Sequence, residues 1–429
     1  MKALLEGSRR PLGIYIAGNP GFGKSSLIQK MALDDIRRGR GVCVIDPTGD
    51  LVERLVHWAP QERVRKEEII YFDTDNPVPI DFFSYKNPAE RQVLTDQLLN
   101  IFNLDNAPIS RPRLQKILGT LFDANDNPYM REKDICTFLD IQSFIEDETR
   151  RHTILSYCPQ RNSQWPDKTF AKLADFVSII ERMTPFTESP ILRTIFEAKK
   201  PKLNIAEVMR KKQVLLINLK DTPTDFFVGS LIASKFQQAT FAKRYSPREA
   251  KRTPYYLYID ECHTVLGYAV KEFEQILTRA RKYKLCLILA NQIPSDLPPQ
   301  ILRKLGTIQT QILFNLDSND ARIFKDRIRP VEPEELLDLP EFHAICRSGR
   351  SVHRVKTPRF LGPSPASYAK IIKRQTQEIY RVPASYAESD QKRPVDSPPS
   401  HTAPEPLPLI DDIKFEPSSA PKDVPPHRS

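Results

Sequence analysis

A glycine-rich turn set between a strand-length apolar run and a helix-forming stretch constrains this chain most. Residues 12–18 read as a buried strand and residues 24–38 as a helix. Between them, Gly18, Asn19, Pro20, Gly21, Phe22, Gly23, Lys24 and Ser25 fit the pattern GxxxxGK[ST]. The strand–turn–helix setting is the one in which that pattern has a mechanism. Backbone N–H groups of the loop and the start of the helix form a cradle for an anion. Lys24 is placed to reach the β- and γ-phosphates of a nucleotide, and the Ser25 hydroxyl to bind Mg²⁺. Gly21 and Gly23 let the backbone approach a phosphate closely.

A fold follows from what surrounds this turn. Residues 41–46 and 68–73 are two further strand-length runs, and helical spacing lies between the runs. Such alternation predicts a parallel sheet covered on both faces, an α/β architecture. From 88 to 200 the texture becomes helical, as in Val93, Leu94, Leu98 and Ile101, with breaks near Asn106 and Asn125. Strands resume at 213–219, 255–260, 285–291 and 309–316, and a hairpin around Gly349 closes the series. The expected organisation is a first part of the sheet domain at 1–87 and an inserted all-helical domain at 88–200. The second part of the sheet domain follows at 201–362, then a short amphipathic helix at 363–382 and a disordered Pro-rich tail at 383–429.

Other strand ends carry chemistry. The run at 255–260 ends in Asp260 and Glu261, and a buried acid there is costly without a partner. Facing the glycine-rich turn, Asp260 would hold Mg²⁺ and Glu261 would act as general base toward water. Gln292, just past the next strand, is placed to orient that water or to sense hydrolysis. Arg279 and Arg281 close the intervening helix. Either one could cap that helix electrostatically or reach a neighbouring subunit's nucleotide, and spacing does not choose between them. The turn from Asp46 to Asp50 leaves the second strand at the same edge, either as a plain turn or as part of a ligand site.

Composition removes several classes. The net charge of +10 suits a polyanionic partner. No apolar run approaches the length of a membrane span, and the N-terminus lacks the apolar core of a signal peptide. The six cysteines form no CxxC pair, so reduced thiols in the cytoplasm are expected, with Cys43 and Cys286 in the core. Cys262 and His263 have no second pair at ligand spacing, which argues against a metal site there.

Taken together, residues 18–26 (including Ser26), 44–56, 68–83, 258–263 and 277–292 resemble the FtsK–HerA superfamily of P-loop ATPases. Within it they are most similar to the TraG/TraD-like coupling ATPases of type IV secretion and conjugative DNA transfer, as are residues 203–219 and 301–326. The resemblance implies a RecA-like sheet and a homo-hexameric ring that hydrolyses ATP with Mg²⁺ and translocates DNA. It implies Walker A roles for Lys24 and Ser25 and Walker B roles for Asp260 and Glu261. Gln292 takes a sensor role, and Arg281 becomes the arginine supplied across the subunit interface. Secretion or DNA-processing partners would meet the helical domain or the tail. The cytoplasm is the expected location, with membrane contact through partners. The chain departs from the family pattern at Thr48, Asp81 and Asn291, and it shows no transmembrane anchor. A AAA-type protein-remodelling ATPase is the alternative, but further strands and the helical segment separate the turn from the acidic strand. A non-hydrolysing nucleotide-gated adaptor fits poorly with having both Lys24 and Glu261.

Overall fold

The computed structural model describes residues 13–61, 68–75, 77–102, 108–170, 172–241, 253–266, 270, 273–274, 276–278, 284–306, 308–360 and 367–381. The expected tail at 383–429 lies outside them, as do Arg279 and Arg281.

Nine strands form one sheet in the order β3-β4-β2-β5-β6-β1-β7-β8-β9. They are β1 (Ile14–Ala17), β2 (Gly41–Asp46), β3 (Ile69–Asp73), β4 (Val214–Asn218), β5 (Tyr255–Ile259), β6 (Leu285–Asn291), β7 (Thr310–Leu313), β8 (His343–Ser348) and β9 (Ser351–Lys356). All pairs from β3 to β7 are parallel, and the hairpin β8–β9 adds an antiparallel margin. The predicted α/β sheet is therefore present, with β1 to β7 where the apolar runs placed them and β8–β9 as the expected hairpin around Gly349.

Strands β1 to β7 read as continuous apolar runs because both of their faces are covered, whereas β9 at the margin is largely exposed. Val42 and Val44 of β2 pack on one face, while Cys43 and Ile45 pack on the other, the two-residue alternation of a strand. Helices α1 (Lys24–Arg37) and α2 (Asp50–Trp58) cover the first face. Helix α3 (Pro223–Phe241) and the helical segment cover the second. All six cysteines are buried and unpaired in disulfides. Among the described residues, no helix is long and apolar enough to cross a membrane.

Between β3 and β4 the chain is helical, and its breaks have local causes. Asn87, Asp147, Ser189 and Asn204 each accept a backbone N–H at a helix start, and Pro88 and Pro190 occupy first turns. The two ends of this segment meet. Ile80 bridges Leu203, Asp81 N donates to Leu203 O at 2.9 Å, and Asn204 Nδ2 donates to Asp81 Oδ2 at 2.6 Å. Its core does not close on itself. Phe138 packs on Phe102, Phe186 and Phe196, Phe196 stacks on Phe82, and Phe186 meets Phe227 of α3. The aromatic cluster is thus continuous with the sheet face.

The amphipathic helix expected near the end is α5 (Ala369–Tyr380). It lies along the edge strand β3, where Tyr71 N donates to Thr376 Oγ1 at 3.1 Å. That contact satisfies an edge N–H that would otherwise invite pairing with another strand.

Candidate active site

The carboxyl ends of β1, β2, β5 and β6 bring the predicted residues to one edge of the sheet. Strand order decides how they meet. β6 lies between β1 and β5, so the Asn291–Gln292 corner separates the glycine-rich loop from the acids. Gly18 N donates to Asn291 O at 3.3 Å, which fastens the start of the loop to that corner.

In the loop, Gly18 and Gly23 have φ of 149° and 108°. A Cβ on Gly23 would lie 2.8 Å from Phe342 Cδ1, and one on Gly18 would lie 2.5 Å from Phe314 Cβ. Glycine is required at both by packing as well as by conformation. Gly21 faces open space instead, so at that position only its φ of 84° calls for glycine. Asn19 is tied to Asn315 by N–H to O at 2.8 Å and by Nδ2 to Oδ1 at 2.7 Å. Pro20 and Gly21 are exposed at the crest. Ser26 turns its side chain into the core, so only its backbone N–H is available to a ligand.

Lys24 is buried and curls back over the loop, with Nζ donating to Gly18 O at 2.6 Å and to Asn19 O at 3.2 Å. Burial lowers its pKa, against the pull of Glu261 and Asp260. Ser25 Oγ donates to Asp260 Oδ2 at 3.0 Å across 235 residues of sequence. Asp260 is fully buried, and its carboxyl is pushed up to about 7. Burial is the main cause, the charges of Asp46 and Glu261 add to it, and Lys24 and Ser25 oppose it. Asp46 accepts Thr48 N, Thr48 Oγ1 and Val52 N at 3.2, 3.0 and 3.0 Å, so it shapes its turn as well as supplying charge.

Glu261 adopts φ of 39°, a region that non-glycine residues seldom occupy. Thr264 holds it there, donating N and Oγ1 to Glu261 O at 3.1 and 2.9 Å. Its carboxylate accepts Gln292 N at 3.2 Å. Gln292 therefore reaches the acid through its backbone. Arg281, the expected trans-acting residue, lies outside the described residues.

The donor set fits a hard divalent cation. The Ser25 hydroxyl and the Asp260 carboxylate are oxygen ligands in contact, and Asp260 and Glu261 act on one lysine while Asp46 adds its charge against Asp260, an imbalance that a cation relieves. Among the described residues no group of three or more His, Cys, Asp or Glu could hold a metal unaided. Such an ion would therefore complete its shell with water and phosphate oxygens. The Cys262 thiol is raised far above its ordinary range, chiefly by burial, and is no thiolate ligand.

Sequence reasoning missed Asn315 and Phe342. Phe342, with φ of 61°, donates N to Phe22 O at 3.0 Å and accepts Thr357 N at 2.7 Å. Its ring backs Gly23, so the β8–β9 hairpin braces the loop from the side opposite the acids. No local pattern marks a phenylalanine in that conformation.

No protein-family model and no curated protein matches the chain. Solved structures do. The bacterial conjugative coupling protein TrwB, in an unbound form, aligns with a TM-score of 0.58 at 17% identity, over 83% of this chain and 88% of that one. VirB4 of Thermoanaerobacter pseudethanolicus aligns with a TM-score of 0.55 at 15% identity, over 83% and 90%. TrwB in complex with the non-hydrolysable ATP analogue ADPNP aligns with a TM-score of 0.55 at 16% identity, over 83% and 87%. At these identities the likeness is one of fold. It is the P-loop ATPase fold that the sequence resemblance implied.

Proposed function

We propose that this chain is a nucleoside-triphosphate hydrolase whose cycle moves DNA, a motor of the type IV coupling kind. One observation carries the reading: the Ser25 hydroxyl meets the Asp260 carboxylate at 3.0 Å, beside Lys24 and Glu261. Only the fold brings these groups together, and each is the residue type that phosphoryl transfer needs there. The shared fold of a coupling protein captured with an ATP analogue supports it.

Bound ATP would supply the phosphoryl group to be cleaved, and Mg²⁺ would neutralise charge between its phosphates. The chain's own residues do the rest. Lys24 exchanges its bonds to Gly18 O and Asn19 O for phosphate oxygens. Gly21, Phe22, Gly23, Lys24, Ser25 and Ser26 offer backbone N–H groups, with Gly18, Asn19 and Pro20 setting the loop's path. Ser25 and Asp260 would hold the cation, whose charge would favour the ionised Asp260 carboxylate. Glu261 takes the proton from the attacking water. Gln292 holds the Glu261 carboxylate and orients the water.

Arg281 completes the site from a neighbouring subunit of a hexameric ring. The net charge of +10 supports a polyanion as cargo. The helical domain at 88–200 and the tail from 383 serve DNA and secretion partners, and the motor works in the cytoplasm against the membrane through them.

The test is Mg²⁺-dependent ATP hydrolysis with and without DNA. Turnover that needs Lys24 and rises with DNA is expected. Hydrolysis unaltered in Lys24→Ala would refute the site. Mixing Lys24→Ala with Arg281→Ala should restore partial turnover in co-assembled rings. Full activity of Arg281→Ala alone would remove that arginine from the mechanism.

A further inference from the structure

Among the described residues His263 is the one histidine beside the acids, and its surroundings determine where its proton sits. It belongs to α4 (Cys262–Leu266), directly after the acidic strand end. Its Nδ1 lies 2.7 Å from Asn291 Oδ1. Asn291 is completely buried, and its Nδ2 donates to Ile293 O at 2.5 Å. With the amide N–H₂ committed to that carbonyl, the oxygen must be the atom that faces the imidazole. An amide oxygen only accepts, so Nδ1 carries the hydrogen and, in the neutral ring, Nε2 is bare.

The same Nδ1 is 3.7 Å from Glu261 Oε2. That is too long for a hydrogen bond but close enough for attraction between a polar N–H and a carboxylate. Oε2 already accepts Gln292 N at 3.2 Å. Two bonds therefore cross between the ends of β5 and β6 in opposite directions. One runs from the β6 backbone to Glu261 and the other from His263 to the β6 side chain at Asn291. Together they clamp a glutamate whose φ of 39° must be held by its surroundings.

We propose that His263 is a positioning residue for the hydrolytic reaction. Through its Nδ1–H bond to Asn291 it fastens the two strand ends and keeps the Glu261 carboxylate on the Gln292 N–H. The proposal rests on the reading of this site as a nucleoside-triphosphatase. It gives His263 no contact with substrate and no proton to transfer.

Three substitutions separate this role from others. His263→Asn places an N–H at the Nδ1 distance from the backbone, His263→Gln places it near the Nε2 distance, and His263→Ala removes it. In His263→Ala and His263→Gln, kcat for ATP should fall about tenfold to a hundredfold, the scale of a misplaced reacting group, with KM within about twofold. His263→Asn should recover most of the loss. Rescue by Gln in place of Asn would assign the function to Nε2 and overturn the proposal, as would wild-type kcat in His263→Ala. A loss confined to KM would also overturn it. Nitrogen-15 NMR of the imidazole in the resting full chain gives a readout independent of turnover: the Nδ1–H tautomer is expected, and an Nε2–H tautomer refutes the clamp. A wild-type chain that binds nucleotide without hydrolysing it would break the hydrolase reading, and the kinetic role of His263 with it. The tautomer would still stand or fall by NMR.

Discussion

The strand-end site and the helical segment between β3 and β4 treat charge in opposite ways. In the helical segment the acids are matched. Asp140 meets Arg150 at 2.6 Å, Asp123 meets both Arg91 and Arg161 at 2.6 Å, and Asp175 meets Arg113 at 2.5 Å. Burial alone would lower the Arg150 pKa, yet its bond to Asp140 outweighs burial and raises it. At the site, Asp46, Glu261 and one lysine act on Asp260, two like charges against one opposite, and Asp260 is pushed up to about 7. One region spends its interactions on its own stability. The other keeps a charge imbalance that a bound cation and phosphate would resolve, a local inconsistency typical of functional sites.

The sharpest way to break this contrast is at Lys24. Lys24→Ala should reduce ATP turnover by at least about a hundredfold, the scale of losing one group that stabilises transition-state charge. The fold should survive, because Lys24 bonds only to the loop's own carbonyls. Steady-state hydrolysis beside a thermal melt checks both halves. A collapsed fold would make Lys24 structural and erase the distinction.

Glu261→Gln should lower kcat by about a hundredfold or more, within the range for a lost general base, while nucleotide still binds. Equilibrium binding of a fluorescent ATP analogue, set against turnover, separates the two effects. Wild-type turnover would take the base role away from Glu261.

In the helical segment the effect should fall on stability instead. Phe138→Ala removes a fully buried ring from its cluster and should cost about 3–5 kcal/mol. Chemical denaturation of the full chain measures it. A cost below about 1 kcal/mol would mean that the cluster is loosely packed, since large core truncations seldom cost so little.

The smallest effect carries a sign. Asp260 is raised in the folded chain, so folding favours its protonated form. Its contribution to stability is present below the unfolded pKa near 4 and is lost as pH rises through about 7. Asp260→Asn should therefore stabilise the resting protein at pH 8 by about 2 kcal/mol, half of what the full offset would give. The gain should vanish near pH 4. Denaturation midpoints of both proteins across that range test it, and a gain that grew toward acid would reverse the account of the site.

Much of this was readable along the chain. The strands announced themselves as short apolar runs because a parallel sheet buries both faces. The loop from Gly18 to Ser25 was readable because its conformation and its ligand chemistry lie within consecutive residues. The helical segment was legible as helices, but its aromatic cluster gave no hint that it would merge with the sheet face through Phe82 and Phe227. His263 looked like a rejected metal ligand, and Phe342 looked like nothing in particular. Both owe their positions to strands far away in sequence.

The sequence by itself determined the local pieces: which runs are strands, where the chain turns on glycine, and which acids end a buried strand. Periodicity and turn chemistry act over a few residues, so they can be read from a few residues. The tertiary structure alone decided that β6 lies between β1 and β5, which sets Asn291 and Gln292 between the loop and the acids. It also decided that Ser25 meets Asp260, that Asn291 orients the His263 proton, and that the β8–β9 hairpin braces Gly23. Those outcomes depend on strand order and register, which are settled by packing between residues hundreds of positions apart, and no short window of sequence records them.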